Sequence, residues 1–394
     1  MLTNPPESVG RGFDRGEFEV RLARAQAAMT ADELDALVVT TAPNVRYFTG
    51  FNTQFWESPT RPWFVVVPRE GAVIAVIPEI GAPGMAETWI EDIRTWPAPR
   101  PDDDGVSLLQ ATLLSLPRRF GRIGWEMGRE SVVRMPIQDF DSLRDRIGNL
   151  TFADGSPILW SLRRVKSPAE VARLRHVCRL ASAAFEALPQ RLRIGDSEIE
   201  ARRKMQIELA EKGADSAPFV AVVSGKGGYS QCIVGPSERR LDDGDVLFID
   251  TGATYDGYFC DFDRNFAFGH ISDAAKRAHE AVWDATEAGI AAARPGATTT
   301  DLWRAMADVL EAAGSKGLNV GRMGHGLGMQ LTEPPSNMPG DDTALVPGMV
   351  MTIEPGMEYA PGCMLLHEEN VVITEEGAEL LTRRAPREMP VITA

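Results

Sequence analysis

The chain is poor in cysteine, with 4 in 394 residues: Cys178, Cys232, Cys260 and Cys363. None stands in a CxxC pair, so neither a disulfide framework nor a zinc-finger spacing is suggested. Cations are outnumbered: 41 Lys and Arg face 56 Asp and Glu, for a net charge of -15. That balance argues against nonspecific nucleic-acid binding and against docking on anionic membranes. Long uncharged apolar runs are missing, and the N-terminal MLTNPPESVGRGF has no apolar signal core. A cytoplasmic location is therefore expected. The glycine-rich SGKGGYS lacks the GxxxxGK[ST] pattern and its strand–loop–helix context, which argues against a phosphate-cradling nucleotide site.

What remains is the composition of an ordinary soluble globular protein, long enough for two or three domains. Residues 1 to about 15 are rich in Pro, Gly and polar residues and read as a flexible arm. GEFEVRLARAQAAMT reads as an amphipathic helix, and LDALVVTT as a buried strand closed by a turn at Pro43 and Asn44. WFVVVP, AVIAVIP and RIGWE supply further strands, with helical stretches such as SLLQATLLSLPRR between them. Strands alternating with helices predict an α/β N-terminal domain. The expected division is 1–157 and 158–394, with the boundary near residues 155–166.

Beyond it, Ser167-Pro168-Ala169-Glu170 is a helix start, with an N-cap serine, a first-position proline and a glutamate three residues after the cap. Further helices are predicted over about 196–213, 272–293 and 299–314. GDVLFIDTG and PGMVMTIEPG share one pattern of glycine, apolar run, acid and glycine. Each precedes a second acid-bearing strand, which predicts two related halves, each offering a β-hairpin with two carboxylates.

Four acids and one histidine stand out there: Asp250 and Asp261, His325, Glu354 and Glu368. Each acid sits in or beside an apolar, β-branched run, where a lone carboxylate is costly to bury. A pair of divalent cations would offset that cost, and four carboxylates with one imidazole are a plausible ligand set. Strand alternation puts Asp261 and Asp263 on one face, and Glu368 and Asn370 on one face with His367 and Glu369 opposite. His325 lies between Gly324 and Gly326, where the backbone can approach a ligand closely.

Those five segments, in this order, resemble the pita-bread family of metallopeptidases and creatinases, which includes methionine aminopeptidase, aminopeptidase P and prolidase. The family's Asp, its Asp in a GYxxD strand, its GHG histidine, its Glu in TxEPG and its Glu before VIT match Asp250, Asp261, His325, Glu354 and Glu368. The resemblance implies an α+β chain with a C-terminal pita-bread fold, preceded by an α/β domain of the creatinase and prolidase branch. It implies two divalent ions, with Mn, Fe or Co favoured and Zn admissible. Asp250 would hold one ion, His325 and Glu354 the other, and Asp261 and Glu368 would bridge. Glu354 would also handle the proton of the attacking water. A homodimer follows from the same resemblance, since in this branch one subunit's N-terminal domain often borders its partner's active site.

The chain departs from that family at two histidines that hold substrate. Thr332 occupies the place of one, in LTEPPS, and Ile233 that of the other, in YSQCIVGP. Thr332 can donate a hydrogen bond but cannot be an imidazolium; Ile233 can do neither. Tyr229 and Gln231 are nearby replacements. Asp263 stands where the family has a small hydroxyl residue, and reads either as an added carboxylate beside the ions or as an ion-pair partner of Arg264 or another base. His367 and His176 read as structural, and His270 and His279 as surface residues. In YFTGFNTQFWESPTRPWF the aromatics Phe55, Trp56 and Trp63, with Glu57, Thr60 and Arg61, read as a loop packed on a core or as a substrate lid, Arg61 being a candidate carboxylate clamp. The expected activity is hydrolysis of an amide or related C–N bond in a small substrate, of Xaa-Pro dipeptidase or aminopeptidase P type. The missing histidines keep open a non-peptide substrate, or a lyase acting on a small zwitterion such as dimethylsulfoniopropionate. A noncatalytic binding protein is disfavoured because all five ligands are kept.

Overall fold

The structure, a computed structural model, describes residues 9–57, 61–315 and 321–393. Its contacts divide it into two compact units: Arg11–Arg163, and the chain from Arg164 onward together with Val9 and Gly10.

In the N-terminal unit, α1 (Arg15–Ala31) opens at Asp14, whose carboxylate accepts the Glu17 N–H. β1 (Ala36–Val39) leads into α2 (Ala42–Thr49). Pro43 and Asn44, expected in a turn, lie instead in the first turn of α2, where a missing N–H costs nothing. β2 (Phe64–Pro68), β3 (Ile74–Pro78), α3 (Ala82–Ala86), β4 (Asp92–Trp96), α4 (Val106–Ser115), β5 (Arg122–Trp125), α5 (Ile137–Arg146), β6 (Thr151–Asp154) and α6 (Ser156–Arg164) follow. The sheet order is β4-β3-β2-β1-β5-β6. β2 runs antiparallel to both β1 and β3, and the other pairs are parallel. β1, β2 and β3 are buried along their whole length, which is why they read as continuous rather than alternating apolar runs. Val38, Phe64, Val76, Leu109 and Trp125 pack in the core beside that sheet.

The C-terminal unit opens with α7 (Pro168–Ala187), which carries the expected reciprocal cap between Ser167 and Glu170. α8 (Glu198–Lys212) ends at Gly213, whose φ of 102° favours glycine. Then come β7 (Ser216–Lys226), β8 (Asp245–Tyr255), β9 (Tyr258–Phe259), β10 (Phe262–Phe268), α9 (Asp273–Ala292) and α10 (Thr299–Ala312). The remainder is strand: β11 (His325–Gly326), β12 (Glu333–Ser336), β13 (Val350–Ile353), β14 (Gly356–Ala360), β15 (Cys363–Leu366), β16 (Glu369–Thr374), β17 (Gly377–Leu380) and β18 (Val391–Ile392). One sheet runs β18-β10-β8-β7, with β9 on β8; a second runs β12-β11-β13-β16-β17; β14 and β15 form a separate pair. A helix pair followed by a sheet thus occurs twice, with GDVLFIDTG on β8 and PGMVMTIEPG on β13. Phe248, Val282, Met306, Met351, Ile353 and Leu365 join helices and sheets in one core.

His279 departs from its expected surface place. It is 3% exposed, because α9 turns Ala275, Ala278, His279 and Val282 inward at helical spacing. Among the described residues no helix is long and apolar enough to cross a membrane.

Candidate metal centre

The two sheets present their acids by the same device. In β8 and β10, Asp250 lies directly across from Asp263, and Asp261 immediately precedes β10. In β13 and β16, Ile353 lies across from Glu369, so Glu354 and Glu368 occupy the adjoining strand ends. His325 opens β11, whose Gly326 pairs with Met351 of β13. Ligand atoms of Asp261, His325 and Glu368, all buried, come within 4.8 Å of one another. Three distant stretches of chain therefore converge on one point.

The backbone around His325 explains its placement. Gly324 has φ of 112°, and a Cβ there would stand 2.2 Å from the Thr352 carbonyl oxygen. The His325 N–H donates to Thr352 Oγ1 at 3.1 Å. Its Nδ1 lies 2.9 Å from the Gly326 carbonyl, which can only accept, so Nδ1 carries the proton. The lone pair of Nε2 then faces Asp261 Oδ2 at 3.4 Å. Asp261 is itself clamped by Asn370, whose Oδ1 accepts the Asp261 N–H at 3.0 Å and whose Nδ2 donates to the Asp261 carbonyl. Strand alternation had already put Asn370 on the face of Glu368.

Burial pushes the carboxyls of Asp250, Asp261 and Glu368 well above the usual range. Neighbouring acids push Asp250 and Glu368 further, Asp261 and Glu354 acting on both. Glu354 is pushed up to about 7 by burial, with Asp261 adding to the rise while His325 and Arg322 oppose it. Burial lowers His325, and the Arg322 guanidinium lowers it further. The acids thus resist ionisation while the imidazole resists protonation. Asp250 Oδ1 and Glu368 Oε1 also lack any hydrogen-bond partner among the described residues. Unpaired carboxylate oxygens beside a bare imidazole nitrogen fit divalent cations, which would satisfy all of them at once.

The other expected residues fall as follows. Asp263 is 0% exposed. The Arg264 guanidinium donates to the backbone carbonyls of Asp263, Glu368 and Arg383, and its carboxylate partner is Glu369 at 3.1 Å. Thr332 is half-buried, and its Oγ1 accepts from Arg322 Nη2 at 3.1 Å. Ile233 is 86% exposed, and the Gln231 side-chain oxygen accepts the N–H groups of Ile233 and Val234. Tyr229 is buried, its hydroxyl accepting the Leu366 N–H at 2.7 Å and its ring packed on Phe248. His176 packs on the Tyr255 ring, His270 faces Asp243 at the surface, and His367 lies within hydrogen-bond distance of Thr286 and Arg384.

Phe55, Trp56 and Arg61 belong to the N-terminal unit. Phe55 is exposed in a short helical turn, Gln54–Glu57. Trp56 stands between Trp63, at 6.0 Å, and the Arg134 guanidinium, at 5.1 Å. Arg61 Nε is buried without a partner among the described residues. Thr60 lies outside the described residues.

Two residues near the acids escaped the reading of the sequence. Arg322 is a cation acting on Asp261, His325 and Glu354. It lies in GRMGHG, three residues before His325, and was the one charged side chain of that motif. Cys232 has its thiol pushed up to about 11 by burial and then by Glu354, Asp250 and Asp263. Its position between Gln231 and Ile233 was the available signal.

Comparison with known proteins gives the same outline. The family model described as "Metallopeptidase family M24" matches residues 172–375, and "Creatinase/Prolidase N-terminal domain" matches 21–165. The chain is similar to "Probable dipeptidase PepE" of Mycobacterium tuberculosis (strain ATCC 25618 / H37Rv), 29% identical over 97% of this chain and 98% of that one. It is 25% identical to the Xaa-Pro dipeptidase of Pyrococcus furiosus, over 92% of this chain and 97% of the other. Among solved structures, dipeptidase PepE from Mycobacterium ulcerans superposes with a TM-score of 0.84 at 29% identity, covering 98% of this chain and 100% of that one.

Proposed function

The chain belongs to metallopeptidase family M24 and is a metallohydrolase, and from that premise we propose a dinuclear hydrolase of Xaa-Pro dipeptidase or aminopeptidase P type, cleaving an amide or related C–N bond in a small substrate. The observation that carries this reading is the convergence of Asp261, His325 and Glu368 within 4.8 Å, from three separate segments. Asp250 would hold one ion, His325 and Glu354 the other, and Asp261 and Glu368 would span both. Oxygen-rich ligation suits manganese, iron or cobalt, with zinc admissible. Bound there, the ions would supply Lewis-acid polarisation of the scissile carbonyl and acidification of water.

The chain's own residues do the rest. Glu354 would take a proton from the attacking water and return it to the leaving nitrogen. Thr332 Oγ1 accepts from Arg322, which leaves its O–H free to donate to the substrate. Asp263 stands beside Asp250 in the same acid row. In the proposed homodimer, as the family resemblance implies, Phe55 and Trp56 would offer apolar surface and Arg61 a carboxylate clamp to the substrate of the partner subunit, while Tyr229 fixes the hairpin of Leu366 next to Glu368. The functional form is a cytoplasmic homodimer, and its four cysteines, all free, support a reducing compartment.

A second reading, elimination from a small zwitterion, is favoured by Thr332 and by the outward-facing Ile233. The test is to incubate metal-loaded protein with Xaa-Pro dipeptides, with dipeptides lacking proline, and with dimethylsulfoniopropionate. Free amino acid supports the hydrolase, acrylate supports the lyase, and a fully metallated protein without either activity would sink both. Asp261→Ala and Glu368→Ala are expected to lose metal and turnover together, activity falling by at least ~10³-fold. Full turnover in either variant overturns the assigned ligand roles.

A further inference from the structure

Asp263 is a fully buried carboxylate with neither oxygen hydrogen-bonded among the described residues. Such a group, left alone, costs several kcal/mol in any buried setting and persists only where something compensates it. The adjacent Arg264 eases its charge through space but makes no hydrogen bond to the carboxylate. Arg264 follows it on the strand and therefore points to the other face, where it spends its donors on Glu369 and on backbone carbonyls. A proton would remove its charge, yet no N–H or O–H of the described residues donates to either oxygen.

What does face Asp263 is more negative charge. It lies directly across from Asp250 in the antiparallel pair, so both side chains leave the sheet on one face, and Asp261 is on that face two residues earlier. Burial and then Asp250 push the Asp263 carboxyl up, with Glu354 and Glu369 adding to the rise and Arg264 opposing it. Asp250 Oδ1 is unpartnered as well. Two opposed carboxylates with three unpartnered oxygens between them lack one thing, a cation placed between them.

We propose that Asp263 is an additional carboxylate ligand, sharing with Asp250 the ion held at the β8–β10 hairpin. The inference rests on the dinuclear reading above and deepens it: the centre would take its cations with five carboxylates and one imidazole. An added hard oxygen donor favours manganese over zinc at that position.

The test uses chelator-stripped full-length protein titrated with Mn(II) and, separately, Zn(II), followed by calorimetry and by metal content. Wild type is expected to take two ions per chain. Asp263→Asn, nearly isosteric, and Asp263→Ser are each expected to weaken one of the two Mn(II) sites by at least tenfold, and the matching Zn(II) site by less. The cobalt-substituted variants should also show an altered visible absorption spectrum. Affinities within twofold of wild type and an unchanged cobalt spectrum overturn the proposal. Should neither variant fold, as judged by circular dichroism, a crystal structure of Mn-loaded wild type decides. An Asp263 oxygen about 2.2 Å from an ion supports the proposal, and a carboxylate outside the coordination sphere overturns it. A wild type that takes no metal sinks the dinuclear reading itself. A wild type with two ions and indifferent variants sinks only the role of Asp263.

Discussion

Glu354 holds its proton up to about 7 against an ordinary 4.5, chiefly because it is buried. That has a stability consequence in the metal-free protein. A carboxyl whose folded pKa is raised binds its proton more tightly folded than unfolded. Its contribution is therefore most favourable below about 4.5 and is lost as pH rises through 7. Across that window the metal-free wild type is expected to lose stability relative to metal-free Glu354→Gln, by on the order of 3 kcal/mol. Thermal melts of both proteins at pH 4.5 and 7.5 check it; parallel pH profiles would show that burial does not penalise this carboxylate. Added Mn(II) should cancel the loss in wild type, since cation and proton compete for the same oxygens.

β11 is only two residues long, yet it sets His325 against Asp261. It can do so because both flanking glycines admit backbone where a side chain would stand. A Cβ on Gly324 would lie 2.2 Å from the Thr352 carbonyl, and one on Gly326 would lie 2.7 Å from that of Pro334. Gly324→Ala combines that collision with a strained φ, and is expected to cost about 2–3 kcal/mol and to weaken metal binding more than tenfold. Chemical denaturation and metal titration measure the two effects separately. Retained affinity would mean that β11 can shift without moving the imidazole. The GHG triplet and the strand alternation around Asp261 and Glu368 made this arrangement legible in advance. The helix caps were legible too, because Ser167 and Glu170 act on their own neighbours. Pro43 and His279 were not. A proline is compatible with a turn or with a helix's first turn, and a single histidine does not declare which face of α9 it occupies. Arg322 was hidden for a similar reason, since its relation to Glu354 exists only after β11 and β13 pair.

At the scale of the whole molecule, the net charge of -15 is unevenly consequential. Most acids are solvated or paired with arginine at the surface, as Asp284 is with Arg387. Asp261, Asp263 and Glu368 are buried, with Asp250 and Glu354 half-buried beside them, and all five belong to the C-terminal unit. Withdrawing these acids from water is a destabilising load on that unit alone, and cations relieve it by binding the folded form. At free metal a hundredfold above its dissociation constant, that linkage amounts to about 2.7 kcal/mol, or roughly a hundredfold in the population of opened states. Amides of β8, β10, β13 and β16 should therefore exchange with solvent deuterium roughly a hundredfold faster after chelation. Those of β1, β2 and β3 in the unit Arg11–Arg163 should change by less than about twofold, because no acid of the cluster lies there. Hydrogen exchange followed by mass spectrometry reads both sets in one experiment. Equal acceleration in the two units would mean that the cations stabilise the chain as one cooperative body. No acceleration in either would mean that the buried acids are held by something other than metal.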